Sequence, residues 1–304
     1  MLSILGRLDL TKEKVTVCIP HVSREKLLRM CLKSVMDNVS LPYRVIVIHD
    51  GKRPFSFRDE RIQVVCTGLE KTGLGFKREQ FAELVDTKYL FALDNDMLVQ
   101  PGSLKAQVQA LERNPKLAAV SGLAFKKGRF PYFPVVSDFK IIGNLLMKKQ
   151  YSLFHILASE GDLFEADYIP IGYTTFRMEA LEDVSFDPEY EIGYEHLGIF
   201  LQLYFTKWRC AVHKKSLFED VKYKSPGEYL KWRRSSTRIE ASRRRFIEKW
   251  GYRPISPVEK ALAGKMLFKM SVLLSYVSCP YTLKSRLSHG LTQELKQFLQ
   301  FKTA

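Results

Sequence analysis

Tyr89-Leu-Phe-Ala-Leu-Asp-Asn-Asp96 is the stretch that best predicts the fold and the function of this chain. Its first five residues form an uninterrupted apolar run, which is typical of a strand buried on both faces of a parallel sheet. The run ends in Asp94-Asn95-Asp96, at the strand end where open α/β sheets bind their ligands. Two carboxylates one residue apart at such a point indicate a site for Mg2+ or Mn2+. A metal held by so few protein ligands completes its coordination with phosphate oxygens of a substrate.

The same acids also fit a plain structural role. Asp94 or Asp96 could cap a helix that the sequence predicts to begin near Pro101, and such caps are common. On these residues alone the two interpretations are equally well supported, so the choice between them depends on the rest of the chain.

Apolar runs alternate with amphipathic segments on both sides of this stretch. Strands are predicted at residues 14–20, 43–48, 62–66, 89–93, 117–123, 167–176 and 208–212, with helices behind the N-cap Ser23, from Gly73, from Pro101 to Arg113 and after Glu195. This alternation predicts βαβ units and a mostly parallel sheet flanked by helices. Right-handed crossovers bring the strand ends to one edge, so Pro20, Asp50 and Asp94 to Asp96 are expected to converge there. Residues 124–166, with the aromatic and proline cluster at 130–134, are expected to form an insertion that covers the cleft.

The composition is that of a globular protein with an anionic partner. At 304 residues, 46% apolar and 27% charged, the chain is long enough for one large domain or a domain with an appendage. Its net charge of +15 indicates a phosphate-bearing substrate, nucleic acid or an acidic membrane surface. The five cysteines have no metal-type spacing and are expected to be reduced, and no signal peptide or membrane span is evident. We therefore expect a cytoplasmic protein.

The positive charge is concentrated in the C-terminal part. Lysines and arginines are interleaved with aromatic residues at 222–253, and residues 258–277 predict an apolar helix broken by three lysines. This pattern favours an anionic membrane surface as the partner of residues 222–277, and so a peripheral membrane location. A nucleic-acid face or a solvated helix surface is the alternative. The change in composition predicts one domain at residues 1–220 and a basic helical extension at residues 221–304.

Five motifs, taken in order, resemble those of a known enzyme family. They are Val15-Thr-Val-Cys-Ile-Pro20 with Arg24, Val45-Ile-Val-Ile-His-Asp-Gly51, residues 73–79, Phe91-Ala-Leu-Asp-Asn-Asp96, and Phe186-Asp-Pro188 with Gly193-Tyr-Glu-His196. Together they resemble the nucleotide-sugar-dependent glycosyltransferases of the GT-A fold, nearest to family 2, over roughly residues 14–215. The resemblance implies an α/β, Rossmann-like fold and a nucleotide-sugar donor, and it favours the metal-binding interpretation of Asp94 and Asp96.

The resemblance also implies a role for each matching residue. Nucleotide or substrate binding is implied for Pro20, Arg24, Asp50, Arg78, Asp94 and Asn95, with Asp50 as the reader of the base. Asp94 and Asp96 match the DxD carboxylates that hold Mn2+ or Mg2+. His213, expected at a strand end, is a candidate third metal ligand, and a structural histidine is the alternative. Glu195 and His196 fall in the acidic motif that supplies the general base for the acceptor hydroxyl.

Two positions depart from the family pattern. The family commonly has two acids after the second strand, where this chain has His49 followed by Asp50. The acidic motif commonly reads Glu-Asp and, after one residue, Asp, where this chain reads Glu195-His196-Leu197-Gly198. If the base belongs at the second position of this motif, His196 takes that role, and Glu195 is the other candidate.

We therefore expect a metal-dependent glycosyltransferase that moves a sugar from a nucleoside-diphosphate sugar to a hydroxyl of a glycan or lipid-linked acceptor. Inversion is favoured by the family 2 likeness. The alternatives are a retaining GT-A enzyme, a non-enzymatic nucleic-acid-binding α/β protein, and an inactive homologue that binds the donor. Asp94 and Asp96 argue against a nucleic-acid partner, because a polyanion-binding cleft has no use for two carboxylates without a metal.

Overall fold

The computed structural model describes residues 14–52, 57–126, 135–221 and 227–255. The chain divides into two compact units, Met1–Arg253 and Pro254–Ala304. The boundary that we predicted after residue 220 does not coincide with this division, because the helices Gly227–Arg233 and Ser236–Trp250 belong to the first unit. The predicted apolar helix at 258–277 and the cluster at 130–134 lie outside the described residues.

Strands and helices alternate along the first unit. The strands are β1 (Val15–His21), β2 (Tyr43–His49), β3 (Ile62–Cys66), β4 (Tyr89–Leu93), β5 (Met97–Val99), β6 (Leu117–Phe125), β7 (Ser137–Ile142), β8 (Leu145–Gln150), β9 (Leu163–Glu165), β10 (Tyr173–Arg177), β11 (Arg209–Asp220) and β12 (Arg253–Pro254). The helices are α1 (Glu25–Asn38), α2 (Leu74–Leu84), α3 (Ser103–Arg113), α4 (Leu153–Ala158), α5 (Met178–Asp183), α6 (Glu195–Tyr204), α7 (Gly227–Arg233) and α8 (Ser236–Trp250). The first four strands lie within one residue of their predicted bounds.

One large sheet forms the centre of the unit, in the order β3-β2-β1-β4-β10-β6-β11-β5, with β9 beside β11. The neighbours β3, β2, β1 and β4 are all parallel, and β11 is parallel to β6. Strand β10 runs antiparallel between β4 and β6. Strands β1, β2 and β4 are almost uninterrupted apolar runs because both faces of the sheet are covered. The predicted mostly parallel α/β sheet is confirmed.

Helices cover both faces of this sheet and create two apolar cores. Leu28 of α1 and Leu104 of α3 belong to one core, whereas Phe81 of α2 and Phe200 of α6 belong to the other. All four side chains are buried, and burial of each contributes about 1.5–3 kcal/mol to stability. Because the helices are fixed to the sheet in this way, the loops between strands and helices are held at the sheet edge.

Strand β11 and the segment before it differ from the prediction. We expected a strand that ends at Val212, but β11 continues to Asp220 across an irregularity between Val212 and Leu217. Its far end pairs with β5, and the backbone N–H of Val221 donates to the Asp96 carbonyl at 2.9 Å. Within the expected insertion, the described residues form the β7–β8 hairpin, α4 and β9.

Candidate functional site

The carboxyl ends of β1, β2 and β4 bring most of the predicted site residues to one edge of the sheet. The backbone N–H of Asp50 donates to the His21 carbonyl at 3.0 Å, and the amide nitrogen of Asn95 lies 2.8 Å from Nδ1 of His21. A cavity of about 100 Å³ opens at this edge. Its walls include Pro20, Arg24, Asp94, Asn95 and Asp96 and, from outside the predicted set, Tyr229 and Arg233.

The turn between β4 and β5 places Asp94 and Asp96 at this cavity, with 40% and 31% of their side chains exposed. The backbone N–H of Asp94 donates to the Gly172 carbonyl at 2.8 Å, and the Asp94 carbonyl accepts from the N–H of Met97 at 3.0 Å. A Cβ at residue 172 would lie 2.6 Å from Cγ of Asp94. Only a glycine there lets the carboxylate occupy this position. A lone glycine before β10 is the one sign of this requirement in the sequence.

Arg24 binds the acidic turn from the side of β1. Its guanidinium donates to Oδ2 of Asp96 at 2.9 Å and to Oδ1 of Asn95 at 2.7 Å. Its backbone is left-handed, with φ 76°, a conformation that is uncommon and costly for a residue other than glycine. Helix α1 begins directly after Arg24 without a side-chain cap, so the prediction that Ser23 caps it is wrong. The strained backbone thus occurs at the residue that holds the acids.

Arg78 on α2 connects the acid pair to the start of α6. It donates to Oε1 of Glu195 at 2.9 Å and lies 3.5 Å from Oδ1 of Asp94. Glu195 is buried, and among the described residues its Oε2 has no hydrogen-bond partner. Burial alone would raise the pKa of Glu195, but His196 and Arg78 lower it to about 2, so the carboxylate is ionised.

His196 is the more accessible of the two base candidates, with 34% of its side chain exposed against 3% for Glu195. Its Nδ1 lies 3.2 Å from Oε1 of Glu195, and its ring packs beside Tyr168 at 5.7 Å between centroids. A hydrogen bond to the carboxylate requires the proton on Nδ1 and leaves Nε2 as a proton acceptor. The two residues therefore form one unit in which Glu195 sets the tautomer of His196.

Asp50 is engaged inside the protein, with 2% of its side chain exposed. Its carboxylate accepts from Nζ of Lys77 at 2.7 Å, from the Thr72 hydroxyl at 2.6 Å and from the Thr72 backbone N–H at 2.9 Å. Lys77 is itself fully buried; burial lowers the pKa of its amine, and the Asp50 charge opposes that shift. The geometry therefore gives Asp50 the contacts of an anchor for the segment 67–77, where we had expected a reader of the nucleotide base.

The glycines before Arg78 allow α2 to approach the loop that precedes Glu195. A Cβ at Gly73 would lie 2.6 Å from the Tyr190 carbonyl oxygen, and one at Gly75 would collide with the Asp187 carbonyl oxygen. Both glycines thus serve a close approach of backbones, and this approach brings Arg78 to Glu195.

Helix α8 holds the same loop from its other side. Lys249 donates to Oδ2 of Asp187 at 2.8 Å, and Phe246 packs against Tyr194 at 5.7 Å between ring centroids. Further pairs join α8 to acidic side chains, namely Arg238 with Glu191, Arg245 with Glu189 and Arg243 with Glu240. Much of the basic run at 236–250 therefore binds acids of the protein itself. Among the described helices, none has the length and apolar character needed to cross a bilayer.

The structure does not bring His213 to Asp94 and Asp96. Because β11 continues to Asp220, His213 lies within the strand, where its Nδ1 accepts from the backbone N–H of Lys215 at 3.2 Å. It lines a different cavity, of about 660 Å³, next to α3. Burial lowers the pKa of His213, and Asp162 opposes that shift. Its assignment as a third metal ligand therefore has no geometric support.

The acid pair fits a divalent cation that shares its coordination with a substrate. Among the described residues, no group of three or more His, Cys, Asp or Glu side chains is arranged to hold a metal. Asp94 and Asp96 are nevertheless hard oxygen donors at an opening, and Mg2+ is commonly bound by one or two carboxylates plus phosphates. Burial raises the pKa of Asp94, Arg78 lowers it and Asp96 raises it, with a net upward shift. A cation between the acids would relieve that repulsion.

Comparison with known structures confirms the predicted GT-A fold. The crystal structure of GalNAc-T7 with UDP, GalNAc and Mn2+ matches with a TM-score of 0.59 and 15% identity, over 80% of this chain and 49% of that chain. The chain thus spans about half the length of GalNAc-T7 in that structure. The crystal structure of S. aureus TarS, residues 1–349, matches with a TM-score of 0.48 and 15% identity, over 68% of this chain and 60% of the other. Comparison with curated proteins finds no match.

The likeness to solved structures shows the fold alone, and a family model shows the family. The model for glycosyl transferase family 2 matches residues 16–184, which include Pro20, Asp50, Arg78 and the acidic turn and stop before Glu195. Since this match covers more than half of the 304 residues, the chain belongs to glycosyl transferase family 2.

Proposed function

We propose that the protein transfers a sugar from a nucleoside-diphosphate sugar to an acceptor hydroxyl, with a divalent cation between the acid pair and the diphosphate. The observation that carries this proposal is the placement of Asp94 and Asp96 at an opening around which arginines converge. Carboxylates attract the cation, and guanidiniums attract phosphate. A cleft with both kinds of group suits a metal–diphosphate complex better than either ligand alone.

The leaving diphosphate gains negative charge during transfer, and this charge must be neutralised. Mn2+ or Mg2+ held by Asp94 and Asp96 would supply electrostatic stabilisation of that charge. Arg24 and Arg78 already lie within 3.5 Å of the same acids and add fixed positive charge beside the diphosphate position. Asn95, held by Arg24 and His21, keeps the turn in place.

His196 is proposed as the general base that takes the proton of the acceptor hydroxyl, with Glu195 as its positioning residue. The exposed part of His196 supports this choice, because the acceptor must reach the base from solvent. Glu195 is buried and ion-paired with Arg78, which suits a group that orients His196. Inversion of the anomeric centre by a single displacement is the proposed outcome, because membership of family 2 favours it.

The acceptor is proposed to be a glycan or a lipid-linked glycan at an anionic membrane surface. Lys231 and Arg244 support this proposal because they lie exposed on α7 and α8. Flotation of the full-length protein with liposomes, with and without anionic lipid, tests it. Absence of binding to anionic liposomes would contradict it.

The donor is identified by a thermal-shift panel of nucleotide sugars, measured with and without Mn2+. We expect a rise in melting temperature for one donor that depends on the metal, because binding to the folded state alone stabilises it. The matched control is Asp96→Asn, which should melt like the wild-type chain and lose the donor-dependent rise. Turnover of the same donor separates an active transferase from an inactive homologue. No rise with any donor in the presence of Mn2+ would contradict the proposal.

A further inference from the structure

Helix α7 supplies two side chains to the cavity that contains the acid pair. Tyr229 and Arg233, one turn apart, line it together with Asp94 and Asp96. We propose that Arg233 is a diphosphate-binding residue of the donor site and that α7 is the element that carries it. This inference rests on the proposed function and deepens it, because it assigns a part of the chain outside the family match to the same site.

Tyr229 holds two guanidiniums beside the acids. Its hydroxyl accepts from Nη1 of Arg233 at 3.2 Å, and the guanidinium carbon of Arg24 lies 5.4 Å from the centre of its ring. Tyr229 is buried, so its position is fixed by packing. One face of α7 is thus built into the site, and the contact of the Arg24 guanidinium with the Tyr229 ring helps to hold it there.

The charges around the cavity balance in the described residues. The lining of the cavity contains two carboxylates, those of Asp94 and Asp96, and two guanidiniums, those of Arg24 and Arg233. Arg78, which is paired with Glu195, also lies 3.5 Å from Asp94. Burial lowers the pKa of Arg233, but Tyr229, Asp94 and Asp96 outweigh this and raise it, so Arg233 stays charged.

This balance of charge favours a metal and a diphosphate bound together over either ligand alone. A divalent cation alone would leave an excess of positive charge, and a diphosphate alone would leave an excess of negative charge. When both ligands are bound, the positive charge of the cation offsets most of the negative charge of the diphosphate. Metal and diphosphate should therefore bind cooperatively. On binding, the guanidiniums of Arg24 and Arg78 would leave the carboxylates of Asp96 and Asp94 and donate to the phosphate oxygens.

An outward shift of α7 on donor binding is part of this inference, because the cavity is small for a donor. Its volume of about 100 Å³ is well below the roughly 300–1,000 Å³ of typical small-molecule sites. Pro20 and the acidic turn are anchored to the central sheet, whereas α7 lies outside it. An outward shift of α7 would enlarge the cavity and keep Arg233 within reach of a phosphate. The planar guanidinium suits this task because it donates two parallel hydrogen bonds to phosphate oxygens.

Arg234 provides a matched control in the same segment. It carries the same charge as Arg233 and is exposed like Arg233, but it does not line the cavity. A general effect of positive charge on an anionic ligand would be the same for both residues. A specific contact with the diphosphate would involve Arg233 alone.

Isothermal titration of the full-length protein with inorganic pyrophosphate, UDP and GDP, each with Mn2+, tests the inference. We expect Arg233→Gln to weaken binding of the Mn2+–diphosphate about tenfold to a hundredfold, the loss typical of one charge-assisted contact. Arg233→Lys should recover only part of this affinity, because a single ammonium replaces the planar fork. Tyr229→Phe should weaken binding a few-fold, and Arg234→Gln should stay within about twofold of the wild-type chain.

The outcomes separate the two proposals. If the wild-type chain binds a diphosphate with Mn2+ and both Arg233 variants bind it equally well, the assignment of Arg233 is wrong and the proposed function stands. If Arg234→Gln loses as much affinity as Arg233→Gln, the effect is one of general charge, and the assignment is again wrong. If the wild-type chain binds none of the three probes with Mn2+, the proposed function and the inference fall together. Equal melting temperatures of the variants and the wild-type chain exclude misfolding as a cause.

Discussion

Asp50 and Asp94 occupy matching places in the fold, yet their side chains have opposite surroundings. Each follows a buried parallel strand at the same edge of the sheet, with only β1 between their strands. The side chain of Asp94 is 40% exposed and lines the cavity, whereas that of Asp50 is 2% exposed and surrounded by donors. The difference comes from other parts of the chain, because Thr72 and Lys77 cover Asp50 while Gly172 leaves room for Asp94.

A carboxylate at the end of a strand is available to a ligand only when donors of the protein do not enclose it. Three hydrogen bonds satisfy Asp50, and one of them comes from the buried amine of Lys77. Asp94 and Asp96 are partly exposed and lie beside the guanidiniums of Arg78 and Arg24. We propose that these guanidiniums turn to a phosphate when a metal binds the acids. The end of a buried strand is where carboxylates that could bind a ligand occur. Whether such a carboxylate can bind one depends on how many hydrogen-bond donors of the protein surround it.

Removal of one partner of the buried pair should have the largest effect on stability. We expect Lys77→Met to destabilise the protein by about 3–5 kcal/mol, because it leaves the Asp50 charge buried without a counter-ion. Asp50→Asn should cost a comparable amount, and the double variant should recover part of the loss. Denaturant unfolding measures all three, and Lys33→Met, which breaks an exposed pair with Asp37, should cost less than about 1 kcal/mol.

Base recognition by Asp50 predicts the opposite pattern. In that case Asp50→Asn would keep the stability of the wild-type chain and lose affinity for one nucleotide base only. Titration with UDP and GDP beside the unfolding curves distinguishes the two roles.

Asp96→Asn should lower turnover with little effect on stability, whereas Asp50→Asn is expected to lower stability. We predict a fall in turnover of about 10²–10³-fold, the size of effect expected when one electrostatic contact to the transition state is removed. The side chain is partly exposed, so the melting temperature without ligands should change little. Steady-state turnover and a thermal melt of the same preparation measure both quantities. A loss of stability without loss of turnover would place Asp96 with Asp50 as a structural acid.

His196→Gln tests which member of the base unit acts on the acceptor. We expect turnover to fall about 10²-fold, within the range of general base catalysis, with unchanged affinity for the Mn2+–diphosphate. Glu195→Gln should lower turnover as well, and it should also reduce stability because Arg78 loses a buried partner. If His196→Gln keeps its activity while Glu195→Gln loses it, Glu195 is the base.

The sequence predicted those parts of the site that depend on strand ends, and it missed those that depend on contacts between distant segments. Apolar runs ending in polar residues predicted β1, β2 and β4 and the acids behind them, because that pattern is local. Nothing local marks Lys77 as the partner of Asp50, or Arg233 as different from Arg234, since each contact is decided by tertiary packing. The extension of β11 past Val212 was missed because residues 213–216 interrupt its apolar pattern. That error placed His213 at a strand end.

Gly172→Ala should harm the site by displacing Asp94. Its Cβ would lie 2.6 Å from Cγ of Asp94, so the carboxylate must turn away, and we expect turnover to fall about tenfold. The effect should vanish when Asp94 is already truncated, because the clash then disappears. A double-mutant cycle with Asp94→Ala measures this coupling, and equal effects of Gly172→Ala in both backgrounds would contradict it.

The smallest effect is expected where α8 holds the loop before Glu195. Burial alone would raise the pKa of Asp187, but the hydrogen bonds from Lys249 and the Glu189 backbone N–H, with the nearby charges, lower it below its ordinary value. The lowered pKa stabilises the fold above about pH 4, and this contribution is lost as the pH falls through the shifted value. Since Lys249 is partly exposed, we expect Lys249→Met to cost only about 0.5–1 kcal/mol at pH 7. Unfolding curves of both proteins should converge as the pH falls through the lowered pKa of Asp187, because protonation of Asp187 removes the pair from the wild-type chain too. A difference that stays constant over this range would mean that Lys249 stabilises the protein through the packing of its aliphatic chain and not through its ion pair with Asp187.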